Sequence, residues 1–235
     1  MDIRERPSPN FNDRPGDGRV DMLILHYTGM RSAQESLDRL CDTAAKVSAH
    51  YQIDEDGTVW RLVAEEKRAW HAGISSWRGR SDINNYSVGI ELVNPGHEFG
   101  YRPFPEPQMA ALTELAGGIL SRHPIPPRQV LGHSDVAPLR KQDPGELFDW
   151  PGLARAGIGF WPDFLATKIK TLPSLVEIQA SLRQIGYSCP KSGALDAETT
   201  AAITAFQRHY RPEHCDGVLD RETAGRIAVL AQGIS

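Results

Sequence analysis

Short apolar runs alternate with turn signals over the first two thirds of the chain, and the last third is helical throughout. Met22, Leu23, Ile24 and Leu25 form an apolar run closed by His26, which predicts a short buried strand ending on a polar side chain. Over residues 32–42, Leu37, Leu40 and Cys41 recur at helical spacing, with Ser32 placed as N-cap and Glu35 to complete a capping box. Residues 50–54 alternate, Glu55-Asp56-Gly57 is a turn signal, and residues 58–63 alternate again, so 50–63 predicts a β-hairpin. Residues 69–73, with the Ser, Trp, Arg and Gly that follow, predict a long surface loop. Residues 87–93 are the most apolar strand candidate and carry one carboxylate, Glu91. Met109, Leu112, Leu115, Ile119 and Leu120 predict a helix over 108–122, which the prolines of 124–127 stop. Val130 and Leu131 then read as a strand end leading into a Gly- and Pro-rich stretch, 131–145, too rich in both to be a helix. Residues 1–19 predict an irregular lead-in. Helix, hairpin, strand, helix and strand in this order predict an α/β fold with a central mixed β-sheet flanked by helices.

The pattern shifts near residues 161–173. Beyond it a repeat emerges: Gly193-Ala194-Leu195-Asp196, with Thr199 and Ile203, returns as Gly217-Val218-Leu219-Asp220, with Thr223 and Ile227. Each aspartate is placed as an N-cap with a hydroxyl three residues on. With the helix expected around 176–185 this predicts a small three-helix C-terminal domain, which at about 60 residues folds alone only marginally. The division expected is therefore 1–165 and 173–235. Cys189 and Cys215 each precede a copy of the repeat, so a disulfide between them and two free thiols are both open readings.

Composition narrows the class. At 40% hydrophobic and 24% charged the chain is an ordinary globular protein, and a net charge of -4 gives no electrostatic reason to expect nucleic acid. No apolar run approaches the ~20 residues of a membrane span. Residues 1–19 lack the apolar core of a signal peptide, so the expected compartment is the cytoplasm, or the periplasm if an export signal has been cut away.

The candidate chemistry gathers on 131–145, where His133, Lys141 and Asp143 lie within eleven residues on a loop at a strand end. One histidine and one aspartate do not make a catalytic metal site, which usually takes three protein ligands and keeps a fourth position for water. The third candidate is His26, at the end of another strand. Two imidazoles and a carboxylate suit Zn2+, although eight histidines scattered through 235 residues leave an ordinary hydrogen-bonding reading equally open. Glu91 inside an apolar strand is expensive to bury unpaired, so it is read as a general base facing the metal, with an outward-facing position as the alternative. Lys141, two residues from Asp143, would stabilise an oxyanion. Tyr51 and His50 point to opposite faces of one strand; Tyr51 is expected near the site and His50 away from it. His71, Trp77 and Arg78 are expected to line a substrate groove, while Trp70 fits equally well as an anchor of its loop to the core.

Six motifs carry a resemblance: His26-Tyr27-Thr28, Ser48-Ala49-His50-Tyr51, Ala69-Trp70-His71-Ala72-Gly73, Ser87-Val88-Gly89-Ile90-Glu91, Gly132-His133-Ser134-Asp135 and Arg140-Lys141-Gln142-Asp143-Pro144-Gly145. In this order they resemble the zinc-dependent N-acetylmuramoyl-L-alanine amidases of the AmpD/AmiD type (amidase_2 family), related to peptidoglycan recognition proteins. The likeness covers roughly residues 20–160, and the C-terminal repeat is similar to a three-helix peptidoglycan-binding domain. The resemblance implies a Zn2+ held by His26, His133 and Asp143, with Glu91 as general base and Lys141 holding the tetrahedral intermediate. It implies hydrolysis of the amide between N-acetylmuramic acid, 1,6-anhydro forms included, and L-alanine of the stem peptide, in peptidoglycan turnover. The partners implied are peptidoglycan and muropeptides, and a monomer is expected. A chain ending near residue 165 should then keep its activity and bind insoluble wall less well. The competing reading is a non-catalytic peptidoglycan sensor on the same scaffold, but such relatives commonly lose a ligand, and all five residues are present.

Overall fold

The computed structural model describes residues 2–164 and 169–232. Two short strands, β1 (Ile3–Glu5) and β2 (Phe11–Asp13), open the chain, followed by β3 (Met22–Tyr27) and α1 (Ala33–Cys41). The hairpin β4 (Tyr51–Ile53) and β5 (Val59–Arg61) comes next, then β6 (Lys67–Ala69) and a small ribbon of β7 (Ser76–Trp77) and β8 (Arg80–Ser81). After these come β9 (Ser87–Leu92), α2 (Gly96–Phe99), α3 (Glu106–Arg122), β10 (Val130–Gly132), α4 (His133–Val136) and α5 (Trp150–Arg155). The C-terminal unit is α6 (Leu175–Ile185), α7 (Ala197–Tyr210) and α8 (Arg221–Gln232).

A six-stranded mixed sheet in the order β1-β5-β4-β9-β3-β10 forms the centre. Only the hairpin pair β4–β5 is antiparallel; the other four neighbouring pairs run parallel. Alternation along β3 and β9 sends Leu23, Leu25, Ile90 and Leu92 to one face, where they pack with Leu112, Leu115 and Ile119 of α3. Met22, Ile24 and Leu131 go to the other face and pack with Ile178, Leu182, Phe206 and Ile227 of the C-terminal helices. The two parts separated near residues 165–173 by the sequence pattern thus share one hydrophobic core. On this second face, His26 of β3 and Glu91 of β9 are paired in register at the strand ends.

Local sequence accounts for the helices. Ser32 caps α1 by accepting from the Glu35 N–H at 3.2 Å, while the Glu35 carboxylate reaches the Arg31 N–H, one residue before the cap. Asp196 and Asp220 cap α7 and α8, each accepting from the amide of the threonine three residues on at 2.8 Å. The repeat has a further purpose. Buried Gln179 and Gln207 each reach the loop that follows their helix, donating to the backbone of Ala194 or Val218 and accepting from the amide of Gly193 or Gly217. The three cysteines are free thiols: Cys189 Sγ lies by Thr199 Oγ1 and Cys215 Sγ by the Pro212 carbonyl, so the disulfide reading falls.

Two expectations need correction. The lead-in 1–19 is not irregular throughout: β1 extends the sheet edge beside β5, and β2 pairs with β6. Arg14 from this stretch is buried and donates to the carbonyls of Glu65, Asn84, Asn85 and Ser87. The stretch after residue 69 is not a surface loop either, because His71, Ala72 and Trp77 are buried. Among the described residues no helix is long and apolar enough to cross a membrane.

Candidate metal centre and active-site cleft

Three ligand-bearing side chains meet at the ends of parallel strands. His26 closes β3, His133 opens α4 directly after β10, and Asp143 lies on the loop that follows, tied back by its carbonyl accepting from the Ser134 N–H at 2.9 Å. The two Nδ1 atoms are 2.9 Å apart, and Asp143 Oδ2 stands 3.1 Å from His26 Nδ1 and 3.0 Å from His133 Nδ1. All three residues are buried, and among the described residues they are the cluster with metal-ligating geometry. In a tetrahedral site with bonds of ~2.0–2.1 Å, ligand atoms sit about 3.3 Å apart, so this triangle is nearly at its metal-bound size.

The outer hydrogen bonds fix both tautomers. His133 Nε2 donates to the Ala72 carbonyl at 3.0 Å, and His26 Nε2 donates to His71 Nδ1 at 3.0 Å. Each Nδ1 therefore keeps its lone pair for a metal. His71 passes the chain on, donating from Nε2 to Ser87 Oγ at 3.2 Å, and that hydroxyl donates to the Ile83 carbonyl at 2.8 Å. Gly89 makes room for this arrangement: a Cβ there would stand 2.5 Å from the His71 ring. Arg140 braces the same loop by donating to the carbonyls of Ala72 and Ile74.

Charge follows geometry. Burial, and then neighbouring His133, push His26 down to about 4, so it is a neutral ligand at pH 7. Burial works against the Asp143 carboxylate, but in acid, where the imidazoles of His133 and His26 take up protons, their charges and hydrogen bonds outweigh it and hold the group well below the usual carboxylate range. Glu91 shifts the other way: burial first, and the Asp143 charge second, raise it well above its ordinary value, with Lys141 opposing. Its Oε2 is enclosed and has no hydrogen-bond partner. Glu91 and Lys141 line one cleft of about 360 Å³ with His71, His133 and Asp143. Arg39 of α1 and Trp70, which donates to Asn12, also border it.

The remaining candidates lie elsewhere. Register pairs Tyr51 with Ile90 and Gln52 with Glu91, so Tyr51 faces α3, where its hydroxyl donates to Glu65 at 2.6 Å. It is His50 that shares the metal side of the sheet, edge-on to His71, accepting from the Gly89 N–H. The expected order of the two is reversed. Trp77 is buried against Tyr187, just beyond α6, and Arg78 donates to the Ile185 carbonyl at its end, so both serve contact with the C-terminal unit and neither borders the cleft. His71 borders the cleft, but its ring nitrogens are committed to His26 and Ser87.

A family profile described as N-acetylmuramoyl-L-alanine amidase matches residues 16–146, and one for a peptidoglycan binding domain matches residues 171–227. N-acetylmuramoyl-L-alanine amidase AmiD of Escherichia coli K12 is 39% identical, covering 91% of this chain and 83% of its own length. The 1,6-anhydro-N-acetylmuramyl-L-alanine amidase AmpD of Haemophilus influenzae is 32% identical over 63% of this chain and 89% of its own length. Among solved structures, AmpDH3 of Pseudomonas aeruginosa superposes with a TM-score of 0.84 at 38% identity, covering 93% of this chain and 94% of its own. AmiD of E. coli, in complex with the substrate anhydro-N-acetylmuramic acid-L-Ala-D-gamma-Glu-L-Lys, superposes with a TM-score of 0.81 at 33% identity, covering 95% and 98%. By sequence and fold, this chain belongs to the N-acetylmuramoyl-L-alanine amidase family.

Proposed function

We propose that the metal is Zn2+, held by His26, His133 and Asp143, and that the enzyme cleaves the amide between N-acetylmuramic acid and L-alanine of the stem peptide. Anhydro-muramyl and ordinary muramyl ends are both substrates in this reading, because a relative named above is of the 1,6-anhydro type and this chain's own C-terminal unit matches a peptidoglycan binding domain. Two imidazole nitrogens and one carboxylate oxygen, oriented by outer hydrogen bonds, are a donor set suited to zinc with one position open. When bound, zinc supplies a Lewis acid and lowers the pKa of water in its open position towards ~7.

The observation that carries the reading is Glu91: a carboxyl with an enclosed, unpartnered oxygen, lining the same cleft as His133, Asp143 and Lys141 and paired in register with His26. A carboxylate with a raised pKa accepts a proton readily and keeps it long enough to pass it on. Glu91 takes the proton from the attacking water as the C–O bond forms at the lactyl carbonyl, and delivers it to the amide nitrogen as the C–N bond breaks. Lys141 supplies positive charge where the carbonyl oxygen becomes negative. The products are the muramyl carboxylate and a free peptide amine.

Mass spectrometry of products from anhydro-muramyl-tripeptide and from intact sacculi, with and without a chelator, tests this. Free peptide beginning at L-alanine, abolished by chelator and restored by zinc, is the expected result. Binding without release would make the chain a recognition protein.

A further inference from the structure

Asp135 lies two residues beyond His133, inside the single turn of α4, and is 1% exposed. Its carboxylate accepts three hydrogen bonds. One is local, from the Gly132 N–H to Oδ2 at 2.7 Å. The other two come from the far end of the chain: the Tyr187 hydroxyl donates to Oδ1 at 2.6 Å, and His209 Nδ1 donates to Oδ2 at 2.7 Å. The His209 ring is stacked on Trp150 of α5 with centroids 3.8 Å apart, so it is wedged between the metal-bearing turn and the next helix. Tyr187 is equally fixed, edge-on to Trp77 and in ring contact with Phe206.

We propose that Tyr187 and His209 are positioning residues for the metal centre: acting through Asp135, they set the turn that carries His133. The inference rests on the reading of His133 as a ligand. A four-residue helix cannot hold its own conformation, since it closes hardly any internal hydrogen bonds. What holds this one is Asp143 on one side, through the Ser134 amide, and Asp135 on the other. A buried carboxylate stripped of its donors is expensive, so without Tyr187 and His209 the turn rotates Asp135 towards water and takes the neighbouring histidine with it. Relatives of the AmpD type match only 63% of this chain, so the family fold stands without a C-terminal unit. The dependence lies in the partners Asp135 has acquired here, and the helical unit becomes part of the metal centre's scaffold as well as a wall-binding appendage.

The test uses the full chain and the variants Tyr187→Phe, His209→Leu and His209→Asn. The readouts are the zinc dissociation constant, by competition with a chromogenic chelator, and the melting temperature of each metal-free protein. His209→Leu and His209→Asn both lose the stack on Trp150, but only asparagine retains a side-chain N–H to offer Asp135. Tyr187→Phe keeps the ring in place and removes the hydroxyl alone, so it tests the contact without threatening the fold. We expect zinc affinity to fall roughly tenfold in Tyr187→Phe and His209→Leu, at the weak end of what outer-shell partners usually contribute, and to recover most of the way in His209→Asn. Variants that melt lower yet bind zinc as the wild type does would reduce the contacts to ordinary packing and overturn the proposal. A wild-type chain that does not bind zinc would overturn the metal reading itself, and this inference with it.

Discussion

Gly89→Ala pits two effects of opposite sign against each other. Gly89 sits in the centre of β9 with ordinary strand dihedrals, and by propensity alone alanine there should be better by about 0.5–1 kcal/mol. The structure demands the reverse. The added methyl would stand 2.5 Å from Cγ and Nδ1 of His71, which is itself buried and cannot swing into solvent. Overpacking of this kind costs about 1–3 kcal/mol, and the clash with a buried ring places this site towards the upper end, which leaves a net loss of up to about 2.5 kcal/mol. At about 2–4 °C per kcal/mol for a chain of this size, the metal-free protein should melt up to about 10 °C lower. The clash also displaces the acceptor of the His26 Nε2–H, so zinc affinity should drop about 10–100-fold. Differential scanning calorimetry and chelator competition measure the two effects separately. Gly117→Ala on α3 is the control, since a Cβ there meets nothing within 4 Å, and it should gain up to about 1 kcal/mol. A Gly89→Ala protein that melts at or above the wild type and holds zinc equally well would refute the claim that His71 is locked under β9.

Other perturbations separate the remaining roles. Glu91→Gln should lower turnover by about 10²–10⁴-fold while metal analysis finds full zinc occupancy; loss of zinc would show that Glu91 supports the ligands instead. Lys141→Met should lower kcat by about 10²–10³-fold with KM little changed, and a change confined to KM would reassign it to substrate binding. Glu65 sets an acid limit on stability. Burial works against its carboxylate, but hydrogen bonds from Arg122, Tyr51 and His123 outweigh this and lower its pKa from 4.5 to about 2. The contribution is therefore full above about pH 4.5 and is lost as pH falls towards about 2. Denaturant unfolding should find Glu65→Gln less stable by on the order of 2–3 kcal/mol at neutral pH, with the gap closing across that window; parallel curves would exclude the mechanism. A chain ending at residue 164, expected from the sequence pattern to keep its activity, should instead aggregate or melt far below the full protein, because Met22, Ile24 and Leu131 lose their cover; a monomeric fragment that melts cooperatively and holds zinc would contradict the shared core.

What was legible in the sequence was whatever depends on local pattern. Strand β3, the hairpin, α3 and the aspartate caps follow from periodicity and capping, and His26, His133 and Asp143 are marked by strand ends and a loop of unusual chemistry. What escaped depends on partners distant in the chain. Arg14 looks like one more charge in a polar lead-in, and only the carbonyls of Asn84, Asn85 and Ser87 make it a buried hub. Asp135 is written into the same motif as His133, yet its donors lie 52 and 74 residues away. The exchange of Tyr51 and His50 is the sharpest case. Alternation states that the two point to opposite faces, but it carries no sign, and the sign comes from the neighbouring strand. Once β4 runs parallel to β9 with Gln52 opposite Glu91, His50 must share the Glu91 face and Tyr51 must turn to α3. Hydrophobicity alone would favour burying either side chain. The choice was made by Gly89, whose N–H donates to His50 Nδ1 at 2.9 Å, and by Glu65, which accepts from the tyrosine hydroxyl on the other face. The observed register satisfies the polar tips of both His50 and Tyr51 at once, whereas the opposite one would strand an imidazole among the leucines of α3.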